Sequence, residues 1–145
     1  MATLRDLQDT LDQLNALFPR PRLAPLKFSE PYVLTKSWPH EEWPNSQLFG
    51  VYAFIGAGDE VLYIGKASCR HNLGRRLGAY FKGKNTGDPD RRGDRVEGCL
   101  AVVTVGFDKC RAFEAPSVEE YRITHVLGLR NICRGGSGDD IEPQV

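Results

Sequence analysis

The 145-residue chain is 41% hydrophobic and 26% charged with a net charge of zero, a balance typical of one ordinary globular domain. No apolar run approaches the length of a membrane-spanning helix, and residues 1–20 lack the basic start and apolar block of a secretory signal. The four cysteines have no CxxC spacing and no histidines in the pattern of a metal site, which favours reduced thiols in a cytoplasmic protein over a zinc site.

Positive charge is concentrated in residues 66–95, which contain nine Lys and Arg and three Asp, a net charge of +6. Residues 1–65 and 96–145 each have a net charge of −3. A basic block in a neutral chain is typical of a surface that faces a polyanion, and equally typical of a solvated loop. The neutral total argues against tight, sequence-blind binding of nucleic acid, because such binding depends on many phosphate contacts.

The chain begins with a predicted amphipathic helix. Thr3 is a suitable N-cap and Asp6 lies in the first turn. Apolar residues then recur every three or four positions: Leu4, Leu7, Leu11, Leu14 and Phe18. The prolines at 19 and 21 end the pattern. We expect this face to pack on the helix's own domain; a dimer zipper is the alternative, although only two heptads are present.

Residues 19–48 contain most of the prolines and both tryptophans, Trp38 and Trp43. Because proline removes a backbone donor and disfavours helix at the preceding residue, we expect little regular structure here. The apolar content predicts an ordered arm that covers the core rather than a free linker. A stacking surface for nucleic-acid bases is the alternative.

Residues 50–81 contain a predicted β-hairpin followed by a basic helix. Residues 49–55 are apolar and rich in aromatic and β-branched side chains, 56–59 have the composition of a turn, and 61–64 begin a second strand. Beyond Gly65 the spacing becomes helical, with apolar residues about one turn apart at Leu73, Leu77 and Tyr80.

The clearest predicted strand covers residues 98–107, and its nearly continuous apolar run predicts burial on both faces and a central place in a sheet. Ser117 is a plausible cap for a last helix that ends at Gly128. The apolar side of that helix consists of Val118, Ile123, Val126 and Leu127. The tail from Arg134 is polar and rich in glycine.

The chain contains the groups that hydrolysis of a phosphodiester needs. An arginine can stabilise charge at phosphorus, and a carboxylate that holds a divalent cation can assist the departing oxygen. A tyrosine beside a cation can orient or deprotonate the attacking water. The candidates are Tyr52, Tyr63, Lys66, Arg75 or Arg76, Tyr80, and Glu119 or Glu120.

The spacing of these residues resembles that of the GIY-YIG nuclease family. The first signature stands as Gly50-Val51-Tyr52, with valine in the usual isoleucine place, and the second stands intact as Tyr63-Ile64-Gly65. After Lys66 and a small insertion, residues 73–81 read LGRRLGAYF. That run is similar to the nuclease domain of the bacterial excision-repair incision protein. The resemblance covers residues 49–132.

The resemblance implies an α+β fold in which a small three-stranded, mainly antiparallel sheet is flanked by helices. Together with the patterns above it predicts three parts. Residues 1–48 form an N-terminal helix and a Pro/Trp-rich arm packed on the domain, 49–132 form the nuclease-like domain, and 133–145 form a polar tail. A monomer is favoured.

The resemblance also implies an endonuclease that hydrolyses phosphodiester bonds of nucleic acid, DNA above all. Tyr52 is expected to be the general base or to orient the water, assisted by Tyr63 and Lys66. Arg76 corresponds to the family's catalytic arginine, and Tyr80 is expected to contact phosphate. The supporting basic residues expected to bind nucleic acid are Arg70, Arg75 and Lys82.

The family's metal ligand is a glutamate on a later helix, which holds one divalent ion, Mg²⁺ or Mn²⁺. Glu119 is followed by apolar residues four and seven positions later and by Asn131 twelve positions later, as in the family. Asn131 would brace the site. Arg122 departs from the pattern, and Glu120 is the alternative ligand.

Two other functions stay open. A module that keeps the fold and binds nucleic acid without turnover is suggested by the changed surroundings of Glu119. A subunit of a larger nuclease, joined through the leucine face of the first helix, is the other hypothesis. No zinc finger or helix-turn-helix pattern accompanies the signatures. The substrate and the biological role, whether repair, restriction, mobile element or phage, are therefore open.

Overall fold

The structure is a computed structural model that describes residues 2–19, 22–38, 41–68, 70–83 and 88–107. Its elements are α1 (Leu4–Leu17), β1 (Tyr32–Val33), α2 (Leu34–Ser37), β2 (Phe49–Ile55), β3 (Val61–Ala67), α3 (Leu73–Tyr80), β4 (Phe81–Lys82), β5 (Asp90–Arg91) and β6 (Ala101–Phe107). Two 3₁₀ turns, Ala57–Asp59 and Asp94–Val96, lie in the connections. The predicted last helix and the polar tail lie outside the described residues.

Helix α1 begins where the sequence predicts, at a capping box. The Thr3 hydroxyl accepts from the Asp6 amide at 3.3 Å, and the Asp6 carboxylate accepts from the Thr3 amide at 2.9 Å. Leu7 and Leu11 are fully buried among side chains of the sheet. The residues before the helix are tied to the hairpin, because the Val61 amide donates to the Ala2 carbonyl at 2.8 Å. The leucine face of α1 is thus occupied by the chain's own sheet.

The main sheet has the order β1-β6-β2-β3, and every described pair is antiparallel. The α+β class is therefore confirmed, but the sheet has four strands where three were predicted. The fourth comes from the arm, because Tyr32 pairs with Val102 and Val33 pairs with Ala101. The arm otherwise has little regular structure, as expected, because its elements among the described residues are β1 with two residues and α2 with four. Strands β4 and β5 form a separate small sheet.

Alternate residues of β2 separate the core into two layers, as strand geometry requires. Val51, Ala53 and Ile55 face α1, whereas Tyr52 and Phe54 face α3 and the arm. Strand β6 lies between β1 and β2, and Val102 and Val103 are fully buried on opposite faces. We call the side of Tyr52 and Phe54 the tyrosine face.

The arm is fixed to both layers by specific contacts. The Asn15 side-chain amide donates to the Leu26 carbonyl at 2.7 Å and accepts from the Leu26 amide at 3.0 Å. On the tyrosine face the Trp43 ring lies 4.5 Å from the Tyr32 ring and 5.2 Å from the Phe81 ring, between centroids. Within the described part of the chain, no helix has both the length and the apolar character that crossing a membrane requires.

Candidate active site

The β2–β3 hairpin brings the two signature tyrosines to one face of the sheet. Phe54 is the direct partner of Tyr63, and Gly65 is the direct partner of Tyr52. Directly opposed residues in an antiparallel pair project to the same face, so both phenols lie on the tyrosine face. Their ring centroids are 6.4 Å apart. The hairpin register alone therefore joins the two signatures.

Two signature glycines are required by close approaches across the sheet. A Cβ at Gly65 would lie 2.8 Å from Tyr52 Cε2 and closer still to the Cζ and hydroxyl oxygen of that ring. A Cβ at Gly50 would overlap the carbonyl oxygen of Val105 on β6. The outer part of the Tyr52 phenol thus lies directly over Gly65, and only glycine leaves it that space.

Helix α3 contributes the third phenol of the face. The Asn72 side chain caps the helix by accepting from the Arg75 amide at 2.9 Å, and Leu73 and Leu77 are fully buried beneath it. One turn later the Tyr80 hydroxyl lies 3.3 Å from the Tyr52 hydroxyl. Both side chains are fully buried. The helix therefore places its last tyrosine at hydrogen-bonding distance from the first signature.

Arg95 completes this arrangement, and the sequence indicates it only as one charge of the basic block. It lies in the 3₁₀ turn Asp94–Val96 and is half-buried. One terminal nitrogen donates to the Tyr63 hydroxyl at 2.8 Å and to the Tyr80 hydroxyl at 3.4 Å. Its guanidinium carbon lies 4.9 Å from the centroid of the Tyr63 ring. We call Tyr52, Tyr63, Tyr80 and Arg95 the tyrosine cluster.

Cationic side chains lie together at the start of α3. The pKa of His71 is lowered, first by desolvation and then by the positive charges of Arg75, Arg76 and Arg70. Arg70 and Arg75 are exposed, whereas Arg76 is half-buried with its Nε atom inside the protein. Lys82, the remaining predicted contact, is half-buried in β4. This end of the helix therefore concentrates positive charge, with one arginine directed partly inward.

The Lys66 side chain projects from the face of the sheet opposite to the tyrosine face. Its direct partner in the ladder is Val51, which packs toward α1. The Lys66 side chain is 3% exposed and its Nζ atom is buried. The strand register therefore does not bring Lys66 to the face that carries Tyr52 and Tyr63.

The predicted metal ligand and its supporting residue belong to the last part of the chain. Glu119, its alternative Glu120, and Asn131 all lie outside the described residues. Within the ranges that the structure describes, no three His, Cys, Asp or Glu side chains are grouped closely enough to hold a metal ion. The tyrosine cluster itself consists of phenols and a guanidinium, so it provides no carboxylate ligand.

The tyrosine cluster has the composition of a site that handles negative charge and protons. Tyr52, Tyr80, Arg95 and Tyr63 form a chain of polar groups drawn from β2, α3, a 3₁₀ turn and β3. A phenol can give or accept a proton, and a guanidinium stabilises negative charge on an oxygen that it contacts. The cluster can therefore orient a nucleophile and stabilise an anion.

Comparisons with known proteins add no relative from which a role can be transferred. No protein-family model matches the chain, and it has no match among curated proteins or solved structures. The residues and geometry of the tyrosine cluster and of the cationic end of α3 therefore carry the assignment of function.

Proposed function

We propose that this chain is a metal-dependent endonuclease of the GIY-YIG type, which hydrolyses phosphodiester bonds in nucleic acid, DNA above all. One observation carries the proposal. Tyr52 and Tyr63, which the two signatures contain, share one face of the sheet and are connected through Tyr80 and Arg95. The cationic end of α3, which follows the second signature along the chain, supplies groups of the charge that phosphate requires.

In this proposal the phenols act on the attacking water, and Arg70, Arg75 and Arg76 act on phosphate. Tyr52 orients or deprotonates the water with the help of Tyr63, whose oxygen accepts a hydrogen bond from a guanidinium. Arg76 stabilises the charge that develops at phosphorus, because a partly desolvated guanidinium interacts with an anion more strongly than an exposed one does. The contacts to neighbouring phosphates come from Arg70, Arg75 and Lys82.

The divalent ion of the proposal, Mg²⁺ or Mn²⁺, is assigned to Glu119. Such an ion stabilises charge on the leaving oxygen. The tyrosine cluster contains no carboxylate. The proposed ligand of the ion is therefore a residue outside the described part of the chain. The roles proposed for Tyr52, Tyr63 and Arg76 are performed by the side chains themselves and not by the ion.

A second candidate function is a binding module without turnover. The observation that favours it is the complete burial of the Tyr52 and Tyr80 side chains, because a general base has to reach water or substrate. Such a module would bind nucleic acid in the presence of EDTA and would cleave it under no divalent metal.

The test is a cleavage assay on labelled duplex, branched and single-stranded DNA and on RNA, with Mg²⁺, with Mn²⁺ and with EDTA. Wild type is compared with Tyr63→Phe, Arg76→Ala and Glu119→Gln, each purified in parallel to exclude contaminating nuclease. Tyr32→Phe is the matched control, because the Tyr32 hydroxyl donates to the Glu41 carbonyl at 2.7 Å, away from the tyrosine cluster.

We expect each of the three site variants to lose about 100-fold or more in cleavage rate, as removal of one transition-state or acid–base group does. The control should cleave at the wild-type rate. Equal rates for wild type, Arg76→Ala and Glu119→Gln would refute the nuclease proposal. Binding without cleavage on every substrate would leave the binding module in its place.

A further inference from the structure

We propose that Arg95 is a positioning residue of the tyrosine cluster, which fixes the Tyr63 and Tyr80 hydroxyl groups and stabilises negative charge on the Tyr63 oxygen. The proposal rests on the function proposed above, to which it adds a residue that neither signature contains. It assigns to Arg95 an action on phenols, not on phosphate.

The hydrogen bonds of Arg95 determine what the phenols can do. A guanidinium only donates, so the Tyr63 and Tyr80 oxygens both act as acceptors toward it, at 2.8 and 3.4 Å. The Tyr63 O–H then points away from Arg95 and can donate to another acceptor, such as a water molecule. Arg95 thereby selects the orientation of the phenolic proton, which a general base or a water-orienting group has to control.

Charge supports the same role. A positive group within about 4–6 Å of an ionisable group favours the anionic state of that group, and Arg95 touches the Tyr63 oxygen directly. The ionisable groups around Tyr63 include Tyr52 from β2, Tyr80 from α3 and Arg95 from its 3₁₀ turn. Only Arg95 of these three carries a formal charge at neutral pH.

The backbone around Arg95 is held in place by its neighbours in the turn. Gly93 precedes the turn at a φ of 92°, a conformation that side chains rarely adopt. Val96, next to Arg95, is fully buried, and its carbonyl accepts from the Cys99 amide at 3.0 Å. A buried anchor directly beside the arginine fixes the backbone from which the long side chain reaches the phenols.

The first experiment needs no substrate, so it stays informative if the chain cleaves nothing. Tyrosine labelled with ¹³C at Cζ is incorporated, the Tyr63 resonance is assigned with Tyr63→Phe, and the signal is followed against pH. The variants are Arg95→Met, Arg95→Lys and Arg5→Met. Arg5→Met is the matched control, because Arg5 is exposed on α1 and its loss changes the net charge equally.

We expect the Tyr63 titration midpoint to rise by about one pH unit or more in Arg95→Met, to stay near wild type in Arg5→Met, and to be partly restored in Arg95→Lys. An unchanged midpoint in Arg95→Met would overturn the proposal.

The second experiment separates positioning from nucleic-acid binding. With the substrate that wild type cleaves best, Arg95→Met should lower kcat by about 10-fold or more and leave KM within about twofold, and Arg95→Lys should recover part of kcat. A raised KM with unchanged kcat would show that Arg95 binds phosphate, and would overturn the proposal. If wild type cleaves nothing, the proposed nuclease function fails, while the Tyr63 titration still decides the role of Arg95.

Discussion

The most direct test of the site's architecture is the substitution of Gly65 by alanine. The added methyl group would lie 2.8 Å from Tyr52 Cε2 and nearer to Cζ and the hydroxyl oxygen, so the ring has to move. Tyr52 is fully buried and packs on Phe54 at a centroid distance of 5.3 Å, which leaves it little room. The substitution therefore forces overpacking at the centre of the tyrosine face.

The expected cost follows from three contributions. Overpacking a filled core costs about 1–3 kcal/mol. Displacing the ring weakens the contact of 3.3 Å between the Tyr52 and Tyr80 hydroxyls, worth about 0.5–1.5 kcal/mol. Alanine in a strand recovers about 0.5–1 kcal/mol relative to glycine. We expect Gly65→Ala to lower the free energy of unfolding by about 1–3 kcal/mol.

Urea denaturation followed by circular dichroism measures this free energy. Gly78→Ala is the matched control, because a Cβ at Gly78 meets no atom within 4 Å. Gly78 lies inside α3, so alanine there should raise stability by about 0.5–1 kcal/mol. The same exchange of residues should thus have opposite signs at the two positions.

A double-mutant cycle identifies the clash. Tyr52→Leu removes the ring atoms that the methyl group would meet, so in that background Gly65→Ala should cost little. Two results would refute the conclusion that glycine is required at position 65 by the Tyr52 ring. One is a Gly65→Ala variant as stable as wild type, and the other is an equal loss of stability with and without the ring.

Three further predictions concern stability and activity. Thr3→Ala removes the hydroxyl of the α1 capping box and should lower the free energy of unfolding by about 1 kcal/mol in the same assay, whereas an unchanged value would mean that the cap is not formed. Leu11→Ala leaves a cavity under α1 and should cost about 2–5 kcal/mol; a loss below about 1 kcal/mol would show that α1 does not pack on the sheet in solution. Burial raises the pKa of Cys99 from 9.0 to about 11, so the folded thiol stays neutral while the unfolded one ionises. Its stabilisation is complete below pH 9 and lost as the pH rises to about 11, by about 2–3 kcal/mol, so stability should fall less over this range in Cys99→Ala than in wild type; parallel curves would contradict the burial of this thiol.

The hairpin was predictable because its signals are local. Two β-type runs around a glycine-containing turn predict antiparallel pairing, and the register then places Tyr52 and Tyr63 on one face without further information. The capping box of α1 is likewise local, because it joins Thr3 and Asp6, which are three positions apart. Elements whose determinants lie within a few positions of each other could therefore be derived from the sequence.

Arg95 and β1 could not be derived in this way. Arg95 is one of several arginines in a polar loop, and its contact with Tyr63, 32 positions earlier, depends on where the whole loop folds back. β1 has only two residues, and its pairing with β6 is fixed by tertiary packing, not by any strand pattern of its own. Lys66 was misplaced for a local reason: β3 extends to Ala67, and because strand side chains alternate between faces, Lys66, three positions after Tyr63, lies on the opposite face.

The attachment of the first residues to the hairpin has a consequence for how the protein folds during synthesis. The Ala2 carbonyl accepts from Val61, and the leucines of α1 are buried against Val103 and its neighbours on β6. During synthesis helix α1 is made before its partners in the sheet, which follow about 50 to 100 residues later. Its apolar face is thus covered completely only after β6 has emerged, and contacts so distant in sequence form slowly. We therefore expect chains truncated before β6 to bind chaperones through α1, and chains that include β6 to release them.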